Sequence, residues 1–212
     1  MRALALIVAG AAATQACAPP SGANTTAAVP IVEDSTRGGI PAGYGSLRQD
    51  DIAIRLEPQG LIVRAIPLDE SVIRLLTPDS YRALRDLQES NRRSIEGVAR
   101  RSGGRAPDLW YVSFYGLEEN ARFSPMELVI TSGGQDFRPL DVIPLSTGFG
   151  EQRLRQRETQ SAVYLYSGDI DVDHPLTVTF QGQRSVIWEQ LLQRIERERA
   201  LIRARASRNG SF

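Results

Sequence analysis

The sequence has few of the residues that form covalent cross-links or metal sites. Its 212 residues include one cysteine, one histidine and no lysine. A single cysteine cannot form an internal disulfide, so the hydrophobic core must stabilise the fold. One histidine and one cysteine also exclude the usual zinc sites. There is no G-x-S-x-G motif, and His174, which precedes Pro175, is predicted to be a loop histidine rather than the base of a catalytic triad.

The chain also lacks an excess of either charge. Its 25 basic residues, all arginine, balance 25 acidic residues. A chain that binds nucleic acid would be expected to carry a basic excess, so no nucleic-acid partner is expected. No cofactor is expected either, because no cofactor-binding motif is present.

Long apolar runs are missing, and the most informative short one lies at the start of the chain. Met1 and Arg2 are followed by small and apolar residues from Ala3 to Ala13. This run is shorter than the roughly 20 residues that cross a bilayer. A charged start, an apolar run and small residues after it are typical of a secretory signal, here predicted over residues 1–16.

The residues that end this run are Thr14, Gln15, Ala16 and Cys17. They resemble the lipobox of bacterial lipoproteins, although Thr14 stands where the family usually has a large aliphatic residue. The resemblance implies that Cys17 is lipidated and becomes the mature N-terminus, so that the protein is held to a membrane without crossing it. Ala18 favours an outer-membrane address. The alternative is an ordinary signal peptide cut after Ala18, which gives a periplasmic or extracellular protein.

The rest of the chain is predicted to form one domain behind a linker. Residues 17–50 are rich in Ala, Pro, Gly, Ser and Thr, which predicts a flexible tether. Residues 51–205 are predicted to form a single domain, and residues 206–212 a disordered tail. Helical periodicity predicts helices near 72–101 and 185–205.

Alternating apolar residues predict strands in the remainder of the domain. Segments 52–56 and 61–66 are expected to form a hairpin across the turn 58–60. Further strands are predicted at 109–117, 126–131, 137–143, 162–166 and 176–180, and residues 146–160 are expected to be a solvated connection. The predicted core includes Val163, Leu165, Leu176, Val178 and Phe180.

Part of this pattern resembles the immunoglobulin-like domains of bacterial surface lipoproteins. The segments that carry the resemblance are 123–130, the Gly133-Gly134 turn, 161–166 and 175–180, within residues 109–181. It implies an antiparallel immunoglobulin-like β-sandwich, here of mixed α+β class with an inserted helix and a packed C-terminal helix. Such domains bind or space other molecules, and the resemblance carries over no catalytic residues.

The densest acidic motif is formed by Asp169, Asp171 and Asp173. Its D-x-D-x-D opening is that of a calcium loop, but His174 and Phe180 occupy the positions where an EF-hand needs Gly and Glu. In a strand the three carboxylates would share one face, which leaves a weak calcium site as a hypothesis. The alternative is a solvated connection between strands.

Arginines are concentrated on both predicted helices. Arg92, Arg93, Arg100 and Arg101 form a candidate contact with anionic lipid or lipopolysaccharide phosphate. The alternative is a solvated face with internal ion pairs, such as those of Glu196 and Glu198 with nearby arginines on the second helix.

Two classes of function remain open. The first is a non-catalytic, lipid-anchored interaction or structural module of the cell envelope, whose partners are the membrane and an unidentified envelope protein or glycan. The second is a glycan-directed envelope hydrolase that uses convergent carboxylates. The adjacent pairs Asp50-Asp51 and Glu118-Glu119 do not indicate the second, because neighbours in an extended chain point apart.

Overall fold

The computed structural model describes residues 40–209, which contain eleven strands in antiparallel sheets together with a few helices. In chain order the strands are β1 (Ile54–Leu56), β2 (Leu61–Pro67), β3 (Asp108–Gly116), β4 (Ala121–Arg122), β5 (Val129–Ser132), β6 (Gln135–Phe137), β7 (Asp141–Pro144), β8 (Arg153–Leu154), β9 (Thr159–Tyr166), β10 (Leu176–Phe180) and β11 (Gln183–Ser185). One sheet has the order β1-β2-β3-β9-β7, a second has the order β11-β10-β5-β6, and β4 pairs with β8. The predicted α+β sandwich-like architecture is confirmed.

Five helices accompany the sheets in the described part of the chain. They are α1 (Gln49–Ile52), α2 (Glu70–Ile73), α3 (Pro78–Ser90), α4 (Arg92–Arg101) and α5 (Trp188–Asn209). Within residues 40–209, no helix combines the length and the apolar character needed to cross a membrane.

Aromatic rings join the two larger sheets. The Phe114 ring, on β3, stacks on Phe123 at a centroid distance of 4.4 Å and lies 5.5 Å from Phe180 on β10. Phe149 packs edge-on against Phe123 at 5.2 Å. Such ring pairs stabilise a core beyond the area that they bury.

The predicted strand registers agree with the burial. Leu176, Val178 and Phe180 are buried, while Thr177 and Thr179 between them are partly exposed. Val163 and Leu165 are also fully buried. The predicted hairpin is present as the antiparallel pair β1 and β2, although Ile52 lies in α1 instead of the strand.

The prediction of a single strand over 137–143 is wrong. Phe137 ends β6 in the four-stranded sheet, whereas β7 begins at Asp141 and pairs with β9 in the five-stranded sheet. Pro139 lies between them, where its missing N–H cannot interrupt a ladder. The predicted strand at 126–131 likewise begins as a 3-10 turn, Pro125–Glu127, and becomes extended at Val129.

Three other predicted segments are also corrected. The helical region 72–101 consists of α2, α3 and α4, with a break between the last two at Asn91, whose side chain donates a hydrogen bond to the Leu87 carbonyl at 2.8 Å. The connection 146–160 is not simply solvated, because Phe149 and Leu154 are buried. The C-terminal helix extends to Asn209, so the predicted disordered tail begins as helix.

The described chain begins with a segment that packs on the domain, here called the strap (residues 40–48). The predicted tether was assigned up to residue 50, but Ile40 is buried and the amide of Leu47 donates to the Leu75 carbonyl at 3.1 Å. A side chain on Gly45 would lie 2.2 Å from the Leu75 backbone, so only glycine permits this approach. Residues 17–39 of the predicted tether lie outside the described residues.

Two neighbouring buried tyrosines, Tyr164 and Tyr166, are expected to affect stability in opposite directions. The Tyr164 hydroxyl is buried without a hydrogen-bond partner among the described residues, whereas the Tyr166 hydroxyl donates to the Leu128 carbonyl at 3.2 Å. Burial raises the pKa of both phenols, so both stay neutral. We expect Tyr164→Phe to raise the free energy of unfolding by about 1 kcal/mol, because it removes an unsatisfied buried group.

The matched control is Tyr166→Phe, which loses a hydrogen bond and should cost about 0.5 to 1.5 kcal/mol. Urea denaturation of both variants measures the two effects. Equal destabilisation by the two substitutions would contradict the interpretation.

Candidate functional site

A concave surface lies between the loop 167–174 and the helices α2 and α5. This acidic cleft, of about 480 Å³, is lined by Ile40, Asp69, Ser71, residues 169–173, Glu196, Arg199 and Arg203. A second cleft of about 460 Å³ adjoins it and shares Asp69, Ile170 and Val172. Ile40, the first described residue, is part of the lining of this cleft.

The three candidate calcium ligands lie in this loop, but each is held by a different partner. An oxygen of Asp169 lies 2.6 Å from Arg105, one of Asp171 lies 2.6 Å from Nδ1 of His174, and one of Asp173 lies 2.7 Å from Arg199. The loop consists of turns instead of a strand, so the shared strand face on which the calcium hypothesis depended is not formed. Among residues 40–209, no group of three or more His, Cys, Asp or Glu side chains is arranged to hold a metal ion.

The loop is fixed by its alternating apolar residues and by its backbone. Ile170 and Val172 are buried, whereas Asp169, Asp171 and Asp173, which alternate with them, are exposed. The Ile170 amide donates to the Asp108 carboxylate at 2.8 Å, and Nε1 of Trp188 donates to the Val172 carbonyl at 3.0 Å. In the sequence, the apolar residues Ile170 and Val172 alternating with the aspartates indicate this burial.

Arg199 closes one side of the cleft. Its guanidinium is largely buried and contacts Asp173 at 2.7 Å and Glu196 at 2.6 Å. Burial lowers the pKa of this guanidinium, but the hydrogen bonds to the two carboxylates outweigh it and the pKa lies above its ordinary value. Arg199 is therefore a permanent cation that neutralises part of the acidic lining.

Glu198 is a buried carboxylate whose tertiary contacts were not predicted from the sequence. Only 5% of it is exposed. It accepts hydrogen bonds from the Ser46 amide at 3.0 Å and hydroxyl at 2.8 Å, and it pairs with Arg205 at 2.9 Å. Arg205 also donates to the Tyr44 carbonyl at 2.7 Å. Glu198 and Arg205 thus bind the strap to α5.

The predicted arginine cluster on α4 is divided by the structure. Arg92 bridges Glu89 and Glu96 at 3.2 and 2.9 Å. Arg101 reaches Asp141 on β7 at 3.0 Å.

Arg93 and Arg100 are the two members of this cluster that remain exposed without an ion-pair partner in the described part of the chain. The alternative of internal ion pairs therefore holds for Arg92 and Arg101. The anionic-surface hypothesis rests on Arg93 and Arg100.

The adjacent acidic pairs are held by different contacts. Asp50 pairs with Arg64, and Asp51 caps α1 through the Arg48 amide at 2.8 Å. Glu119 accepts from the Gln156 amide at 3.4 Å.

Cys17, the candidate lipidation site, lies outside the described residues. The comparisons with protein-family models, curated proteins and solved structures give no match to this chain.

Proposed function

We propose that this protein is a non-catalytic, lipid-anchored module of the cell envelope that holds its domain at a membrane surface. The observation that carries the proposal is the acidic cleft, in which the loop carboxylates are engaged by Arg105, His174 and Arg199. The resemblance of residues 14–17 to a lipobox supports the anchor.

The contacts in the cleft bear on the hydrolase alternative. A glycosidase needs two carboxyl groups about 5 to 9.5 Å apart that face a substrate, one of which donates a proton. Asp173 and Glu196 instead share the guanidinium of Arg199. Asp69 caps α2 by accepting from the Ser71 amide at 2.8 Å. Asp173 thus links the loop to α5, while Glu196 and Asp69 make contacts within or beside their own helices, which favours a binding or structural role.

A peptidoglycan digestion separates the two functions. We expect the purified protein to release no soluble fragments from isolated peptidoglycan, and Asp171→Asn and Asp173→Asn variants to behave like the wild type. Chromatography of the soluble fraction, with a known muramidase as the positive control, is the measurement. Fragment release by the wild type that is lost in either variant would establish the hydrolase and overturn the proposal.

A further inference from the structure

Two arginines face each other on the short ladder of β4 and β8. Arg122 and Arg153 are direct cross-strand partners, and Ala121 pairs with Leu154 in the same ladder. Ala121 and Leu154 are buried, so the two arginines occupy the opposite, exposed face side by side. Within residues 40–209, neither guanidinium forms a salt bridge with a carboxylate.

Placing like charges directly opposite each other on a ladder is destabilising. By contrast Arg92, the first residue of α4, has two carboxylate partners, Glu89 at the end of α3 and Glu96 in α4. Two facing guanidiniums without an acid among the described residues leave their N–H donors available to an anion from outside the domain. Cross-strand side chains start about 4.5 to 5.5 Å apart, which allows two guanidiniums to contact one anion between them.

The backbone below the pair is firmly held. The Arg153 carbonyl accepts from Gln160 at 3.2 Å, and the Phe123 amide donates to the Gln152 carbonyl at 3.2 Å. Phe123 belongs to the aromatic core through its stacking on Phe114. A rigid base lowers the entropy cost of aligning the two guanidiniums on a ligand.

We propose that Arg122 and Arg153 form a binding site for a phosphate group. The planar guanidinium fork matches the oxygens of a phosphate, and two forks supply donors to several of these oxygens at once. The phosphate comes either from a soluble molecule or from the headgroup of a membrane lipid. The site does not depend on the proposed anchor, since its residues belong to the folded domain.

The test uses the full chain with Cys17→Ser, which prevents acylation. Inorganic phosphate is titrated by NMR, and binding to vesicles of phosphatidylcholine with and without phosphatidylglycerol is measured by flotation. We expect the double variant Arg122→Gln with Arg153→Gln to bind inorganic phosphate, the anionic vesicles or both about tenfold or more weakly than the wild type. The control is Arg138→Gln with Arg184→Gln, which removes the same charge from two exposed positions, one directly after β6 and one in β11, and should leave binding unchanged.

The two arms distinguish the sources of the phosphate. Loss confined to free phosphate identifies a soluble ligand, and loss confined to the anionic vesicles identifies a lipid headgroup; both support the site. If the two double variants weakened binding equally, the loss would be explained by the lower net charge alone and the proposal would be overturned. Wild-type protein that binds neither phosphate nor anionic vesicles would also overturn it. The ladder variant should melt no lower than the wild type, because it relieves the repulsion between the arginines.

Discussion

Removal of residues 186–212 is expected to leave a chain that does not fold stably. This truncation keeps β11 but deletes α5, from which Trp188, Ile195 and Ile202 are fully buried. Each such side chain contributes roughly 1.5 to 3 kcal/mol, against a net domain stability of about 5 to 15 kcal/mol. The truncation also exposes Trp110, whose ring lies 6.3 Å from that of Trp188. We therefore expect aggregation and the loss of a cooperative thermal transition.

Two point variants test whether α5 stabilises the domain through its buried side chains. Trp188→Ala should cost about 3 to 5 kcal/mol, as large-to-small changes of aromatic residues in cores do. Leu201→Ala, at a helix position that is 50% exposed, should stay within about 0.5 kcal/mol. If the truncated chain melted at the wild-type temperature, α5 would be a detachable arm and its apolar side a binding surface.

The second large effect is expected at Glu198. Truncation to alanine leaves the Ser46 amide and hydroxyl and the Arg205 guanidinium without their shared acceptor. Unpaired buried donors cost about 1 to 3 kcal/mol, so Glu198→Ala should lower the free energy of unfolding by this amount. The strap should also exchange its amide hydrogens faster, because Glu198 is one of its links to α5.

Glu196→Ala is the matched control on the same helix. The Glu196 side chain is 61% exposed, and its pair with Arg199 should contribute at most about 1 kcal/mol. Hydrogen exchange at Ser46 and Leu47, together with urea denaturation, measures both variants. Unchanged exchange in Glu198→Ala would mean that the backbone contacts of the strap suffice to hold it.

Sequence reasoning predicted the parts of the fold that depend on short-range periodicity. The alternation in 176–180 identified both the strand and its buried face, since a strand with one buried face has a fixed period of two. The break at Asn91 was missed because no Gly or Pro marks it. Asn side chains compete for backbone hydrogen bonds, as the contact with Leu87 shows, but this tendency is a weak signal in a sequence.

The candidate sites depended on contacts between distant residues, which periodicity does not encode. Arg101 is paired with Asp141 on another element, so a cluster that is uniform in sequence is divided in space. The strap was interpreted as part of a tether because Ile40, Tyr44 and Leu47 are sparse among small residues. Tyr44 and Ser46 are held by Arg205 and Glu198, which lie more than 150 positions away in the chain.

The mass of the mature N-terminus is the most direct test of the proposed membrane-anchored role. We expect mass spectrometry of the protein purified from membranes to show a chain that begins at Cys17 and carries a covalent diacylglyceryl group. Cys17→Ser should abolish this modification and release the protein from the membrane fraction. An unmodified chain that begins at Pro19 would contradict the lipid anchor.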